Sequence, residues 1–321
     1  MKQNLHSSVW KCWLLSLLTL AFYLPSFSQY TGESGAFYEA GISLGPSNFL
    51  GDLGGTQGIG RPFLKDNNFP LTKFMIGGYL TYQPNEWLGF RLMGNYGHLE
   101  GDDAIIKGKG GEEENRKARN SNFRSNIVEG FLALEVYPTV FLEYEPTDIF
   151  HKLRPYGIIG VGVFHFNPQG TDPLNGNWVD LKPLHTEGEG FAEYPDRKEY
   201  KLTQLNIPMG VGVKYFLSET VSLSLEVIHR KTFTDYIDDV STTYVDPAVF
   251  YAHLPLAQAQ LAERMANKST PTGSNTRIFG AGDKRGTATN NDAYYSFGFK
   301  LGIRLGRNDG YSNSTRCPVH F

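Results

Sequence analysis

YYSFGFKLGIRL, residues Tyr294–Leu305, decides the fold. Tyr295, Phe297, Phe299, Leu301, Ile303 and Leu305 share one parity; Ser296, Gly298, Lys300, Gly302 and Arg304 share the other. Successive side chains leave a β-strand on opposite faces, so a period of two reads as a strand. One face is wholly apolar, and the other mixes glycines with cations. In water such a face is a patch larger than soluble monomers tolerate, whereas in a bilayer it already has a solvent.

Seven earlier segments repeat the pattern: Phe37–Phe49, Thr72–Tyr82, Trp87–His98, Phe123–Tyr137, Pro155–Asn167, Thr203–Phe216 and Val221–Thr232. Phe131 interrupts the polar face of the fourth. Gly157, Gly160 and Gly162 leave the inward face of the fifth undecided. The connections sort by length. Gln83–Glu86 and Leu217–Thr220 are hairpin-sized, and the 138–154 link lies on the same side. Leu50–Leu71, Leu99–Asn122, Pro168–Leu202 and Phe233–Ala293 are long, polar and all on the other side. Short turns at one end and long loops at the other are the habit of outer-membrane barrels, with the short turns periplasmic. The pattern therefore predicts an all-β chain: an eight-stranded antiparallel transmembrane β-barrel with long extracellular loops, placed in the outer membrane among its lipids.

Composition agrees. Glycine numbers 36 in 321 residues and aromatics make up 14%. This suits short strands and aromatic girdles better than packed helices. Lys plus Arg is 30 against 33 Asp plus Glu. That balance excludes a general polyanion surface, and nucleic acid with it. Residues 1–28 read as a secretory signal: Lys2 and Lys11, then the short apolar run Trp13–Leu24, then Ser26 and Ser28 before a cut at Gln29. The run is too short to span a bilayer. Cys12 precedes it and has no lipoprotein setting, so the mature chain keeps one cysteine, Cys317, and no internal disulfide. The expected layout is signal peptide 1–28, barrel 29–306 and periplasmic tail 307–321.

The inward faces carry Glu39, Glu129, Glu135 and Glu226 with Lys73, Arg91, Lys214, Arg230, Lys300 and Arg304. An eight-stranded barrel is just wide enough for side chains to fill it. Charges there are desolvated and need partners. The expectation is an ion-pair network across the lumen and a plugged or narrow barrel. Aromatics near the strand ends are expected to form interfacial girdles: Phe37, Tyr38, Tyr82, Trp87, Tyr96, Phe123, Tyr137, Tyr156, Phe166, Tyr215, Phe216, Tyr294 and Tyr295.

Outside the strands, TDYIDDVSTTYVD (Thr234–Asp246) carries Asp235, Asp238, Asp239 and Asp246. Acidic oxygens suit calcium, but the spacing is not that of an EF-hand. A loop of Asx turns explains it as well. Asp246-Pro247 reads as a helix start. A stripe of Leu254, Ala257, Leu261 and Met265 follows, either docking a partner or packing on the barrel mouth. Glu112–Arg119 reads as a solvated loop tip. No His-Glu-x-x-His or Cys-x-x-Cys occurs, and the scattered histidines have no catalytic spacing. The expectation is no enzyme, no catalytic residue, no metal and no cofactor.

Two blocks and the tail carry a family likeness. YEAGISLGPSNFLGDLGG (Tyr38–Gly55), RKTFTDYIDDVSTTYVDP (Arg230–Pro247) and RCPVHF (Arg316–Phe321) resemble the PorG-like family of small outer-membrane barrels associated with type IX secretion and gliding motility. The likeness covers nearly the whole mature chain, and the acidic block is its most specific part. It implies an accessory protein of the secretion machine that touches a periplasmic ring of lipoprotein and partner subunits. It brings no catalytic residues. The last strand ends near Leu305, so the tail, with Arg316, Cys317, Pro318 and Phe321, is a candidate partner contact beside the 138–154 link.

Overall fold

The computed structural model describes residues 36–54, 69–107, 111, 113–142, 149–218, 220–271 and 278–305. The expected signal peptide and the tail with Arg316, Cys317, Pro318 and Phe321 lie outside them.

Each alternating segment is a strand. Their order is β1 (Phe37–Leu50), β2 (Lys73–Asn85), β3 (Leu88–Asp102), β4 (Asn122–Val136) and β5 (Leu153–His165), then a small hairpin of β6 (Pro168–Thr171) and β7 (Trp178–Asp180). β8 (Thr203–Phe216), β9 (Val221–Thr232) and β10 (Ala293–Leu305) complete the set. β1 to β5 and β8 to β10 pair with their neighbours, and β1 pairs with β10 while β3 pairs with β4, so the sheet closes. All pairings are antiparallel. Closure leaves no unpaired edge, which is what a bilayer demands of a sheet. Among the described residues, no helix is long and apolar enough to cross a membrane.

The parity holds around the wall. Ile42, Leu132, Val211 and Leu225 are each at least 60% exposed, while Glu39, Arg91, Glu135 and Lys214 are at most 2% exposed. An isolated carboxylate or ammonium would not choose that interior over water. The inversion is stable because the outside is lipid and the inside is paired. β5 resolves its ambiguity by turning Tyr156, Ile158 and Phe164 inward.

The girdle expectation needs correction. Tyr38, Tyr82, Tyr96 and Tyr215 are exposed on the lipid side, but Phe123, Tyr137, Tyr156, Phe166, Tyr294 and Tyr295 are buried. Nearness to a strand end does not set depth or side; parity and the overlying loops do.

The long loops fold back over their end of the barrel. Within them lie α1 (Glu113–Arg119), the β6–β7 hairpin, α2 (Ala248–His253) and α3 (Leu256–Ala266). The Glu112–Arg119 run is thus a helix and not a solvated tip, with Glu113, Ala118 and Arg119 buried; Glu112 lies outside the described residues. α2 begins where Ala248 N donates to Asp246 Oδ1 at 2.9 Å. Pro255 then separates α2 from α3. α3 packs through Ala259, Ala262, Met265 and Ala266 onto Leu181, Leu184, Val249 and Phe250. Leu254 and Leu261 are partly buried against this cluster, but Ala257 is exposed, so the predicted stripe is rotated.

Candidate functional site

Inward parity stacks the lumen in layers. Nearest the short turns, three cations meet three carboxylates. Arg91 on β3 donates to Glu226 on β9 at 2.7 Å and also pairs with Glu135 on β4. Lys300 lies 3.5 Å from Glu226 and 4.0 Å from Glu135. Lys214 lies 3.1 Å from Glu39. Phenols take up remaining lone pairs: Tyr79 donates to Glu39 at 3.0 Å, Tyr156 to Glu226 at 2.7 Å and Tyr137 to Glu135. The Lys300 ammonium sits 4.0 Å from the Tyr79 ring centroid. Arg91, Lys214 and Lys300 balance Glu39, Glu135 and Glu226, which is the condition for keeping six charges out of water.

Above this lies an apolar layer of Met93, Phe131, Ala133, Ile158 and Ile228. Phe131, the residue that spoiled the polar face in the sequence, belongs here. A second polar layer centres on Glu129. It accepts from Arg230 at 3.3 Å, Asn95 at 2.7 Å, Asn206 at 2.6 Å and Tyr294 at 3.0 Å. Arg230 also donates to Ser296 Oγ at 2.6 Å. Beyond it Phe164, Phe166, Tyr200 and Tyr236 stack ring on ring from the lumen into the loops.

Eight of the ten residues expected in the lumen network therefore fall in two separate polar layers. The other two sit at the ends. Lys73 pairs with Glu100 at the long-loop rim. Arg304 is half-buried at the short-turn rim, its guanidinium 3.8 Å from the Phe37 ring centroid. Parity reached both, but height along the strand separates them from the layers. The phenols and the amides of Asn95 and Asn206 lie on the same inward parity but carry no formal charge to mark them.

The loop cap has its own buried ions. Arg119 grips Asp103 with two nitrogens, at 2.7 and 2.9 Å, and donates to the carbonyls of Arg285 and Asp52. Arg285 donates to Glu187 at 2.9 Å, and Glu187 also accepts from the Ser241 and Thr242 amides. These bonds tie four loops together. No periodicity marks such residues, so pattern reading had no means of finding them.

The four aspartates of the acidic loop do not converge. Asp246 is exposed at the start of α2. Asp239 accepts from Tyr200 at 2.7 Å and from Thr186. Asp238 accepts from Leu53 N and, as an Asx turn, from Val240 N, both at 3.0 Å. Asp235 is 6% exposed and lies in the field of Asp52. Burial, with Asp52 and Glu187 adding, pushes Asp235 up to about 8. Burial likewise raises Asp239 to about 6, against the pull of Arg285. Asp238 and Asp292 are raised by burial and by neighbouring aspartates. Among the described residues no three Asp, Glu, His or Cys side chains are placed to hold a metal ion.

One catalytic spacing does occur: Gly41-Ile42-Ser43-Leu44-Gly45 fits Gly-x-Ser-x-Gly. That motif needs its serine on a sharp strand-to-helix turn. Ser43 lies in mid-β1, pairs with Lys300 in the ladder and faces the lumen. The spacing is strand alternation.

No curated protein matches the chain. Among solved structures it is similar to Ail, the attachment invasion locus protein of Yersinia pestis, at 7% identity, covering 84% of this chain and 99% of that one with a TM-score of 0.34. It is similar to Neisserial surface protein A at 9% identity, 84% and 99% coverage and a TM-score of 0.34. It is similar also to OprG from Pseudomonas aeruginosa at 10% identity, 85% and 97% coverage and a TM-score of 0.32. The family model for the outer membrane protein beta-barrel domain matches residues 14–254. With a closed eight-stranded wall and that match over most of its length, the chain belongs to the outer membrane protein beta-barrel domain family and resides in the outer membrane.

Proposed function

We propose that this barrel is an accessory component of a type IX protein secretion machine, oriented with its short turns in the periplasm, where it contacts ring lipoprotein and partner subunits. The observation that carries this reading is the filled lumen. Three matched charge pairs, an apolar layer and a fourth ion pair, Arg230 with Glu129, occupy the interior among the described residues. A barrel filled in this way works through its ends or as a fixed post. The likeness of Tyr38–Gly55 and Arg230–Pro247 to the PorG-like family supports the secretion role, and on this reading the 138–154 link and the 307–321 tail are the segments to test for periplasmic contacts. Within the link, Phe141 and Leu142 are more than half exposed.

A second reading makes the protein a structural or adhesive barrel whose loops do the work. It is favoured by the tight packing of the cap, which holds Arg119 and Arg285 out of water. One experiment separates the two. The 307–321 tail is deleted in one strain and residues 248–266, α2 and α3, in another. Secretion and copurification from outer membranes in mild detergent are then scored. Loss with the tail deletion alone supports the secretion role. Loss of surface binding with the cap deletion alone, secretion intact in both, overturns it.

A further inference from the structure

The lipid-facing wall is not uniform. Two rows of outward side chains cross β5, β8, β9, β10 and β1. One follows the register Pro155, Val213, Leu225, Phe299, Leu44. The next, two residues along each strand, runs Gly157, Val211, Val227, Phe297, Pro46. Between them lies the inward-parity row Tyr156, Gly212, Glu226, Gly298 and Gly45, three of them glycines, so only backbone forms the floor. Together these rows bound a groove of about 710 Å³.

Each end of the groove has a cause in the sequence. At one end Gly157 contributes no side chain, and a Cβ placed there would meet nothing within 4 Å. At the other, the β1–β10 ladder skips Gly45 and Pro46, pairing Leu44 with Phe299 and then Ser47 with Ser296. Proline has no N–H to donate. The groove also reaches Pro138 at the short-turn rim, the rim at which Lys152 is exposed.

A groove of this size is within the range that takes a small molecule. Left empty, its walls forfeit dispersion contacts. Its walls are apolar side chains continuous with the surface that already meets acyl chains: Val211 is 66% exposed, Leu225 62% and Phe299 54%. We propose that this groove holds one acyl chain of a membrane phospholipid, with the phosphate at the short-turn rim beside Lys152. The site needs only the membrane location and stands or falls apart from the secretion role.

The test uses the purified mature protein in vesicles of phosphatidylethanolamine and phosphatidylglycerol, doped with phosphatidylethanolamine carrying a photoreactive acyl chain. Adducts are mapped by mass spectrometry. They are expected to concentrate at 44–46, 211–213, 225–227 and 297–299, severalfold over the opposite wall at Ile76, Leu92 and Leu132. Gly157→Trp fills the groove and should abolish the enrichment. Gly130→Trp on β4 is the control: a Cβ there also meets nothing within 4 Å, and the residue lies outside the groove. Circular dichroism verifies that both variants are folded. Even labelling around the wall, or enrichment that survives Gly157→Trp, overturns the proposal. So do chain-to-chain adducts in place of lipid adducts, or displacement of the probe by glycolipid but not by phospholipid.

Discussion

Arg91 Nη1 lies 2.7 Å from Glu226 Oε2, and the two residues stand on β3 and β9, four strands apart in a ring of eight. The bond therefore braces opposite walls. Because Arg91 also pairs with Glu135, removing it leaves two buried carboxylates with Lys300 as their nearest remaining cation. Breaking a buried pair from one side costs about 3–5 kcal/mol. Arg91→Met should lose stability on that scale in urea unfolding from micelles. Adding Glu226→Gln and Glu135→Gln should restore much of it. Additive losses would contradict a shared network.

Arg119 plays the corresponding part in the cap. Nε and Nη2 grip Asp103, Nη2 also donates to the Asp52 carbonyl, and Nη1 donates to the Arg285 carbonyl. A lysine carries the charge but not the fork. Arg119→Lys should therefore open the loops to limited proteolysis while the barrel band survives. Cleavage of Arg119→Lys no faster than that of wild type would contradict this role.

The cap should loosen with alkali. Burial holds Asp235 at about 8 and Asp239 at about 6 in the folded protein, both above the ordinary aspartate value of 3.8. A raised acid binds more protons folded than unfolded, so its contribution is whole below its unfolded value. It is lost progressively as pH climbs through that value to the folded one. Burial lowers Lys268 from 10.5 to about 8, and that group acts with the opposite sign, regaining stability only as pH climbs from about 8 towards 10.5. The decisive quantity is thus a difference. Protection factors of cap amides, corrected for intrinsic exchange, should fall between pH 6 and pH 9 in wild type and fall less in Asp235→Asn. Identical pH profiles would refute the assignment.

Gly45 is a packing requirement. A Cβ there would lie 1.8 Å from the Phe297 carbonyl oxygen, which is backbone and has little room to move. Gly45→Ala should cost at least the ~1–3 kcal/mol typical of overpacking, read as a lowered midpoint of unfolding. Gly130→Ala, facing open lipid space, should leave the midpoint within error.

Which parts were legible follows from where periodicity exists. Lys214, Glu226 and Lys300 could be placed inside because strand parity has only two values and their outward neighbours are apolar. Height along the strand is a different matter. Lys73 and Arg304 share the inward parity yet sit at opposite rims, since register is set by pairing and not by a strand's own pattern. The cap was opaque for the same reason. Arg119 meets Asp103 and Arg285 meets Glu187 across loops with no repeat, so only tertiary packing identifies the partners. The β6–β7 hairpin carries no such signal, because four and three residues are too few to show alternation.

The filled lumen is the central claim, and conductance tests it most directly. The protein and a form lacking α2 and α3 should both be silent in planar bilayers, because the charge layers lie beneath the cap and do not depend on it. Large, steady single-channel steps from either protein would mean that water and ions pass where Arg91, Lys300 and Glu226 are held to close the way.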